Sequence, residues 1–231
     1  MKVSAGNGVI DSLLEGGFEE GVLTTVYGPS GTGKTNICIF AAVETAKSGK
    51  KVIFIDSEGG FSIERIKQIT PAYETLLNNF IILQPTSFEE QKKIFAKLKD
   101  MIKPNTGLIV VDTIGMLYRL ELSNKNSIAE INSELGKQIA ILNTIARKSN
   151  IPVLVSNQVY STFDARDKIQ LVGGDILKYG SKCLIELQLT PLKKRKAILR
   201  KHRNIADGGE ICFDITNTNM VQVQHRGFRL F

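Results

Sequence analysis

The stretch Gly28-Pro29-Ser30-Gly31-Thr32-Gly33-Lys34-Thr35 satisfies the pattern Gly-x-x-x-x-Gly-Lys-[Ser/Thr] in full. Glycines at this spacing let the backbone curl until successive N–H groups face one point. A helix that starts just behind them adds its positive end. The chemistry this suits is the holding of nucleotide phosphates: Lys34 reaches the β- and γ-phosphates, Thr35 offers its hydroxyl to Mg²⁺, and Asn36 continues the same turn. A chance glycine turn is the alternative, but here an apolar run precedes the motif and a helical pattern follows it.

Three further polar residues sit at the ends of apolar runs. Asp112 closes "GLIVVD" (107–112), Glu58 lies just beyond "KVIFID" (51–56), and Gln158 ends "IPVLVSNQV" (151–159). In parallel-sheet proteins ligands bind in the crevice outside the carboxyl ends of the strands. A carboxylate at Asp112 would hold Mg²⁺ together with Thr35. A glutamate near a γ-phosphate orients or deprotonates the attacking water, which is the work expected of Glu58. Gln158 is placed to sense the γ-phosphate and to pass its state to the residues that follow. Each of the three could alone be an ordinary cap or loop residue, and it is their convergence that is specific.

The elements that must position these groups follow from periodicity. Strands are expected at 22–28, 51–56, 107–112 and 151–159, and helices from Lys34 to about Ser48 and over 88–102. A long helix should begin at a capping box formed by Ser127 and Glu130. Near-continuous apolar strands separated by helices imply a parallel sheet covered on both faces. After about residue 183 the pattern changes to "CLIELQL", "AILRKHR", "ICFDI" and "MVQVQ", which reads as antiparallel hairpins extending the sheet. No repeat or linker interrupts the 231 residues, so one α/β domain spanning 1–231 is expected.

Composition limits the function classes. With 42% hydrophobic and 23% charged residues the chain has enough apolar material for one sizeable core, and disorder is disfavoured. No apolar run approaches the ~20 residues of a membrane span, and the N-terminus lacks a signal-peptide pattern. Cys38, Cys183 and Cys212 are far apart and read as reduced core thiols, which suits a cytoplasmic protein. The last fifty residues hold ten Lys/Arg against four acids, so they carry +6 of the net charge of +7. Such asymmetry points to a polyanionic partner on one face, with a solvated basic rim as the alternative.

Taken in order, these motifs resemble the RecA-type recombinase superfamily, above all its archaeal and eukaryotic branch (RadA and relatives). "GGFEEGVLTTVYGPSGTGKT" is similar to that branch's entry into its ATPase core, and "FIDSEGGFSIERI" to its catalytic-glutamate segment. "VVDTIGMLYR" resembles the Walker B strand and the start of the first DNA-binding loop, while "VSNQV" and the later "VGG" bracket the second. The resemblance runs from about Gly8 to the C-terminus. It implies a RecA-like P-loop core using ATP and Mg²⁺, with Glu58 as the catalytic carboxylate, Gln158 as the γ-phosphate sensor and Arg119 on a DNA backbone. A surface salt bridge is the other reading of Arg119.

Several positions depart from the branch. About twenty-seven residues precede Gly28, too few for the recombinases' N-terminal helical DNA-binding domain and Phe-x-x-Ala polymerisation segment, so both are expected to be absent. Ser62 and Ile63 replace an Arg-Pro pair, and Asn36 replaces a common Gln. A core-only chain with these changes resembles the RadB group, short archaeal paralogues of RadA, and this implies roles in recombination and repair with weak ATP turnover.

Two segments suit nucleic acid. Residues 159–180 mix Tyr160 and Phe163 with Arg166 and Lys168, and aromatics that stack with cations that neutralise suit a single strand. The same mixture is also that of a surface loop. Residues 193–203 hold seven Lys/Arg, with Lys193, Lys194, Arg195 and Lys196 expected at a hairpin tip and Arg200, Lys201 and Arg203 on the return strand. They could contact a DNA backbone, reach ATP on a neighbouring subunit, or form a solvated edge that blocks strand pairing. The leading expectation is an ATP- and DNA-binding recombination protein that prefers single strands and has weak, DNA-dependent ATPase activity. It would be cytoplasmic, associated with the nucleoid in a prokaryote, with a recombinase or resolvase as protein partner or a homo-oligomer as its form. The alternatives are a mediator that uses ATP only as a switch and a ring-forming motor.

Overall fold

Runs of Val, Ile and Leu that are apolar at every position demand cover on both faces of a sheet, and the computed structural model supplies it. It describes residues 1–123, 127–161, 169–191 and 194–223, with only the backbone described for 160–161 and 169–170. A strand β1 (Lys2–Val3), a helix α1 (Gly8–Leu13) and a strand β2 (Phe18–Glu19) open the chain, β1 and β2 pairing antiparallel. The chain continues with β3 (Leu23–Tyr27), α2 (Lys34–Lys47), β4 (Lys51–Asp56), α3 (Ile63–Ile69), α4 (Tyr73–Leu77) and β5 (Phe80–Leu83). Next come α5 (Phe88–Met101), β6 (Thr106–Asp112), α6 (Gly115–Ser123), α7 (Ile128–Ser149) and β7 (Val153–Asn157). The hairpin β8 (Val159–Ser161) and β9 (Ile169–Leu171) precedes α8 (Gly174–Gly180), then β10 (Cys183–Leu189), β11 (Arg195–Lys201), β12 (Glu210–Ile215) and β13 (Met220–Gln222).

Nine strands form the main sheet in the order β13-β12-β11-β10-β3-β7-β6-β4-β5. From β5 to β10 every neighbour pair is parallel, and from β10 to β13 every pair is antiparallel. Side chains alternate between the faces. Val26, Phe54, Val110, Leu154 and Ile185 pack on one side with α1 and α2, while Leu23, Ile53, Ile55, Ile109 and Val153 pack on the other with α5 and α7. This is the RecA-like arrangement, a largely parallel sheet between helices with antiparallel strands at its C-terminal end.

Four details differ from the sequence-based expectation. β10 lies parallel to β3, and only its far edge begins the antiparallel part. The strand expected over 151–159 is restricted to Val153–Asn157. Pro152 has no N–H to give a ladder, and the Gln158 carbonyl instead accepts the Val172 N–H, which ties the separate β8–β9 hairpin to the sheet. The Ser127 side chain makes no cap bond on α7, because its own carbonyl already takes the Glu130 N–H at 3.0 Å. The turn after β10 closes between Thr190 and Lys194, so Arg195 and Lys196 are strand residues rather than a tip, and Arg203 lies beyond the end of β11. Cys38 and Cys183 are buried, Cys212 is partly so, and all three are free thiols. Among the described residues no helix is long and apolar enough to cross a membrane.

Candidate nucleotide site

The motif at 28–35 occupies the turn from β3 to α2, at the carboxyl edge of the parallel strands. Its glycines are favoured by close approach or by backbone conformation. A Cβ on Gly28 would lie 2.3 Å from the Leu187 carbonyl oxygen, and one on Gly33 would lie 2.7 Å from Ile215 Cδ1. Gly31 and Gly33 adopt φ of 77° and 102°, values that L side chains avoid. Gly33 caps α2 with no side chain, so the first-turn N–H groups of the helix remain open to an anion. The loop lines a cavity of about 370 Å³ together with Lys34, Thr35, Asn36, Glu58, Arg195 and Ile215.

Lys34 is buried, and its ammonium donates to the carbonyls of Gly28 and Pro29, each at 2.9 Å. Burial pushes its pKa below the ordinary lysine value, while the negative charges of Glu58 and Asp112 pull it back up. The cation is therefore held in the loop and has carboxylates on its far side.

Asp112 has no solvent exposure. Its Oδ1 accepts a hydrogen bond from Ser156 Oγ, whereas Oδ2 is buried with no hydrogen-bond partner. Burial raises its carboxyl pKa, and Glu58 and Asp56 raise it further, against the pull of Ser156 and of Thr35. The Thr35 hydroxyl thus lies near enough to steady the charge without meeting Oδ2 in a hydrogen bond of ordinary geometry. An orphaned carboxylate oxygen beside a threonine hydroxyl is a donor set that fits Mg²⁺, which takes oxygen ligands.

Glu58 stands exposed at the mouth of the cavity. Its Oε1 accepts from Thr113 Oγ1 at 2.9 Å and from Gln158 Nε2 at 2.5 Å, so the ends of three strands meet at one carboxylate. The loop that carries it is shaped by Asp56, which accepts the N–H groups of Gly60 and Phe61 at 3.0 and 3.1 Å. Ser57 binds the next strand end, donating to the Thr113 carbonyl at 2.5 Å and accepting the Thr113 N–H at 3.1 Å. Behind Gln158, the side chain of Asn157 donates to the Val172 carbonyl at 2.6 Å, a second tie to the β8–β9 hairpin.

The structure thus brings together Gly28 to Asn36, Glu58, Asp112 and Gln158. Arg119 is exposed on α6, with no side-chain hydrogen bond or ion pair among the described residues. Lys194 pairs with Asp214 at 2.5 Å and Lys196 with Glu210 at 3.0 Å. Arg195 lines the cavity beside the glycine loop. Phe163, Arg166, Lys168 and Lys193 lie outside the described residues, as does the side chain of Tyr160.

Three supporting residues, Asp56, Ser57 and Ser156, were not anticipated, and Arg195 was expected at a hairpin tip rather than on this cavity. Asp56 had a signal, since it ends β4 in register with Asp112 at the end of β6. Ser57 lies next to Glu58, but serine is too common in loops to stand out. Ser156 gave no signal and the place of Arg195 beside Gly31 gave none, because their partners lie 44 and 164 residues away in the chain.

Comparison with known proteins agrees with this fold. Residues 1–223 match the Rad51 family. The chain is 42% identical over 222 residues to the DNA repair and recombination protein RadB of Methanobrevibacter smithii, covering 93% of this chain and 94% of that one. It is 42% identical over 214 residues to the protein of the same name from Methanococcus maripaludis, covering 92% and 97%. A solved structure described as that of the RadB recombinase superposes with a TM-score of 0.81 at 38% identity, over 96% of this chain and all of the other. The chain therefore belongs to the Rad51 family and is similar along nearly its whole length to that family's RadB proteins.

Proposed function

We propose that this protein binds ATP with Mg²⁺ and DNA in recombinational repair, and that it hydrolyses ATP slowly. Its relatives' description as DNA repair and recombination proteins supports the setting. The observation that carries the reading is the meeting of Thr113 and Gln158 on one oxygen of Glu58, at the mouth of a glycine-loop cavity. In this reading Lys34 and the open N–H groups of α2 hold the phosphate chain. Thr35 and Asp112 would hold Mg²⁺, which when bound neutralises charge on the β- and γ-phosphates. Glu58 accepts a proton from, or orients, the attacking water, and its two hydrogen bonds fix the carboxylate for that work. Gln158 changes partner when a γ-phosphate arrives, and because its backbone carbonyl binds Val172, that change reaches the β8–β9 hairpin. DNA, with single strands preferred, is the partner assigned to that hairpin, to Arg119 and to the basic C-terminal segment.

The test is ATP hydrolysis at saturating ATP and Mg²⁺ with and without single-stranded DNA, on the wild type and on Glu58→Gln. Stimulation by DNA in the wild type, with turnover lost in the variant while ATP affinity is kept, is the expected result. ATP binding with background turnover under both conditions would instead make the nucleotide a conformational switch in a non-catalytic mediator. Absence of ATP binding would overturn both readings.

A further inference from the structure

The nucleotide cavity has a second cation that no motif assigns. Arg195, the first residue of β11, donates from Nε to the Gly31 carbonyl at 3.1 Å and from one terminal nitrogen to Asp214 Oδ1 at 3.3 Å. We propose that Arg195 is a nucleotide ligand, contacting the phosphate chain of the ATP bound by its own chain. The assignment rests on the nucleotide-binding reading above.

Three observations carry it. First, a guanidinium has five N–H donors in a rigid fork, and the two bonds here leave three uncommitted on a side chain that lines the cavity. Second, the residue is held in place beforehand. β12 closes over the loop through Ile215 against Gly33, and the Arg195 stem lies 3.9 Å from where a Gly33 Cβ would be, so little side-chain freedom remains to be lost on binding. Third, the local charge is unbalanced. Asp214 is shared by Lys194 and Arg195, so it cancels only one of the two and leaves surplus positive charge on this wall of the cavity. Glu58 also lines the cavity. A polyanion entering the cavity meets positive charge that Lys34 alone does not provide. The contact is made within one chain, unlike an arginine lent by a neighbouring subunit. It also separates Arg195 from its sequence neighbour Lys196, whose partner is the exposed carboxylate of Glu210.

The experiment is calorimetric titration of ATP with Mg²⁺ into the wild type, Arg195→Gln and Arg195→Lys, together with melting of each protein without nucleotide. A charge-assisted contact predicts a loss of about tenfold to a hundredfold in ATP affinity for Arg195→Gln. Arg195→Lys, which keeps the charge and loses the fork, should fall between the two, and ligand-free melting should change little. Wild-type affinity in Arg195→Gln would overturn the assignment while leaving nucleotide binding intact. Should that variant not fold, Arg195→Lys decides, and unchanged ATP affinity there overturns the proposal. A wild type that does not bind ATP would remove the nucleotide reading and this assignment with it.

Discussion

Asp112→Asn removes one negative charge from a side chain with no solvent exposure, one of whose oxygens has no hydrogen-bond partner. A buried unsatisfied polar group costs on the order of 1–3 kcal/mol, and more when charged. Asparagine can still accept from Ser156 through its oxygen, and it replaces the orphaned oxygen by an uncharged amide. It also ends the repulsion from Glu58 and Asp56, although Lys34 loses a favourable neighbour. A net gain of about 1–2 kcal/mol is expected for the ligand-free protein, and at ~2–4 °C per kcal/mol for a chain of this size the melting temperature should rise by about 2–8 °C. The pH dependence has a definite sign. A carboxyl whose pKa is raised by folding binds its proton more tightly in the folded state. Wild-type stability from this group therefore increases as pH falls through the raised value towards the ordinary one near 4, and the variant lacks that component. Nucleotide should act in the opposite direction. At a hundred times its dissociation constant a ligand adds about 2.7 kcal/mol, and the part of that shift which depends on Mg²⁺ should shrink in Asp112→Asn. The assay is calorimetric melting with ATP plus Mg²⁺ and with ATP plus chelator. A ligand-free variant that melts below the wild type, or one that keeps the full Mg²⁺-dependent shift, would refute the reasoning.

His202 accepts the backbone N–H groups of Asn204 and Ile205 on Nδ1, and burial lowers its pKa from the ordinary 6.5. Stability held by the neutral ring should be complete above pH 6.5 and fall as the pH drops towards the lowered value, because the unfolded chain takes up the proton first. Melting curves between pH 8 and 5 should show this slope in the wild type and lose it in His202→Gln. In the core, Gln91 donates to Gln138 at 2.8 Å while one polar atom of each amide is left without a partner. Either Gln91→Met or Gln138→Met alone should cost about 1–3 kcal/mol in urea unfolding, whereas the double variant should recover most of the loss. Additive losses would show that the two amides do not act as a pair.

Local pattern made much of this protein legible. The glycine spacing of 28–35 reads as a phosphate loop because the backbone curl that such a loop requires is a property of those few residues. The near-continuous apolar runs of 51–56 and 107–112 and the 3.6-residue period of 88–102 placed strands and a helix within a residue or two of their observed bounds. Asp112, Glu58 and Gln158 could be selected because strand ends in a parallel sheet share one crevice, a consequence of topology that alternating elements already imply. Their chemical types and their common edge were determined by the sequence itself.

Tertiary structure decided what lies beside them. β10 runs parallel to β3 because the chain returns through α8 to that side of the sheet, and a single strand's sequence does not say which neighbour it will meet. Ser156 under Asp112, Asp56 shaping the Glu58 loop, and Arg195 against Gly31 all depend on which strands become adjacent and in what register. A basic run looks the same in sequence whether it faces solvent, nucleic acid or a phosphate loop. The physical reason is that periodicity and propensity act over a few residues, while the field and packing around a buried charge are set by residues brought together from across the whole chain.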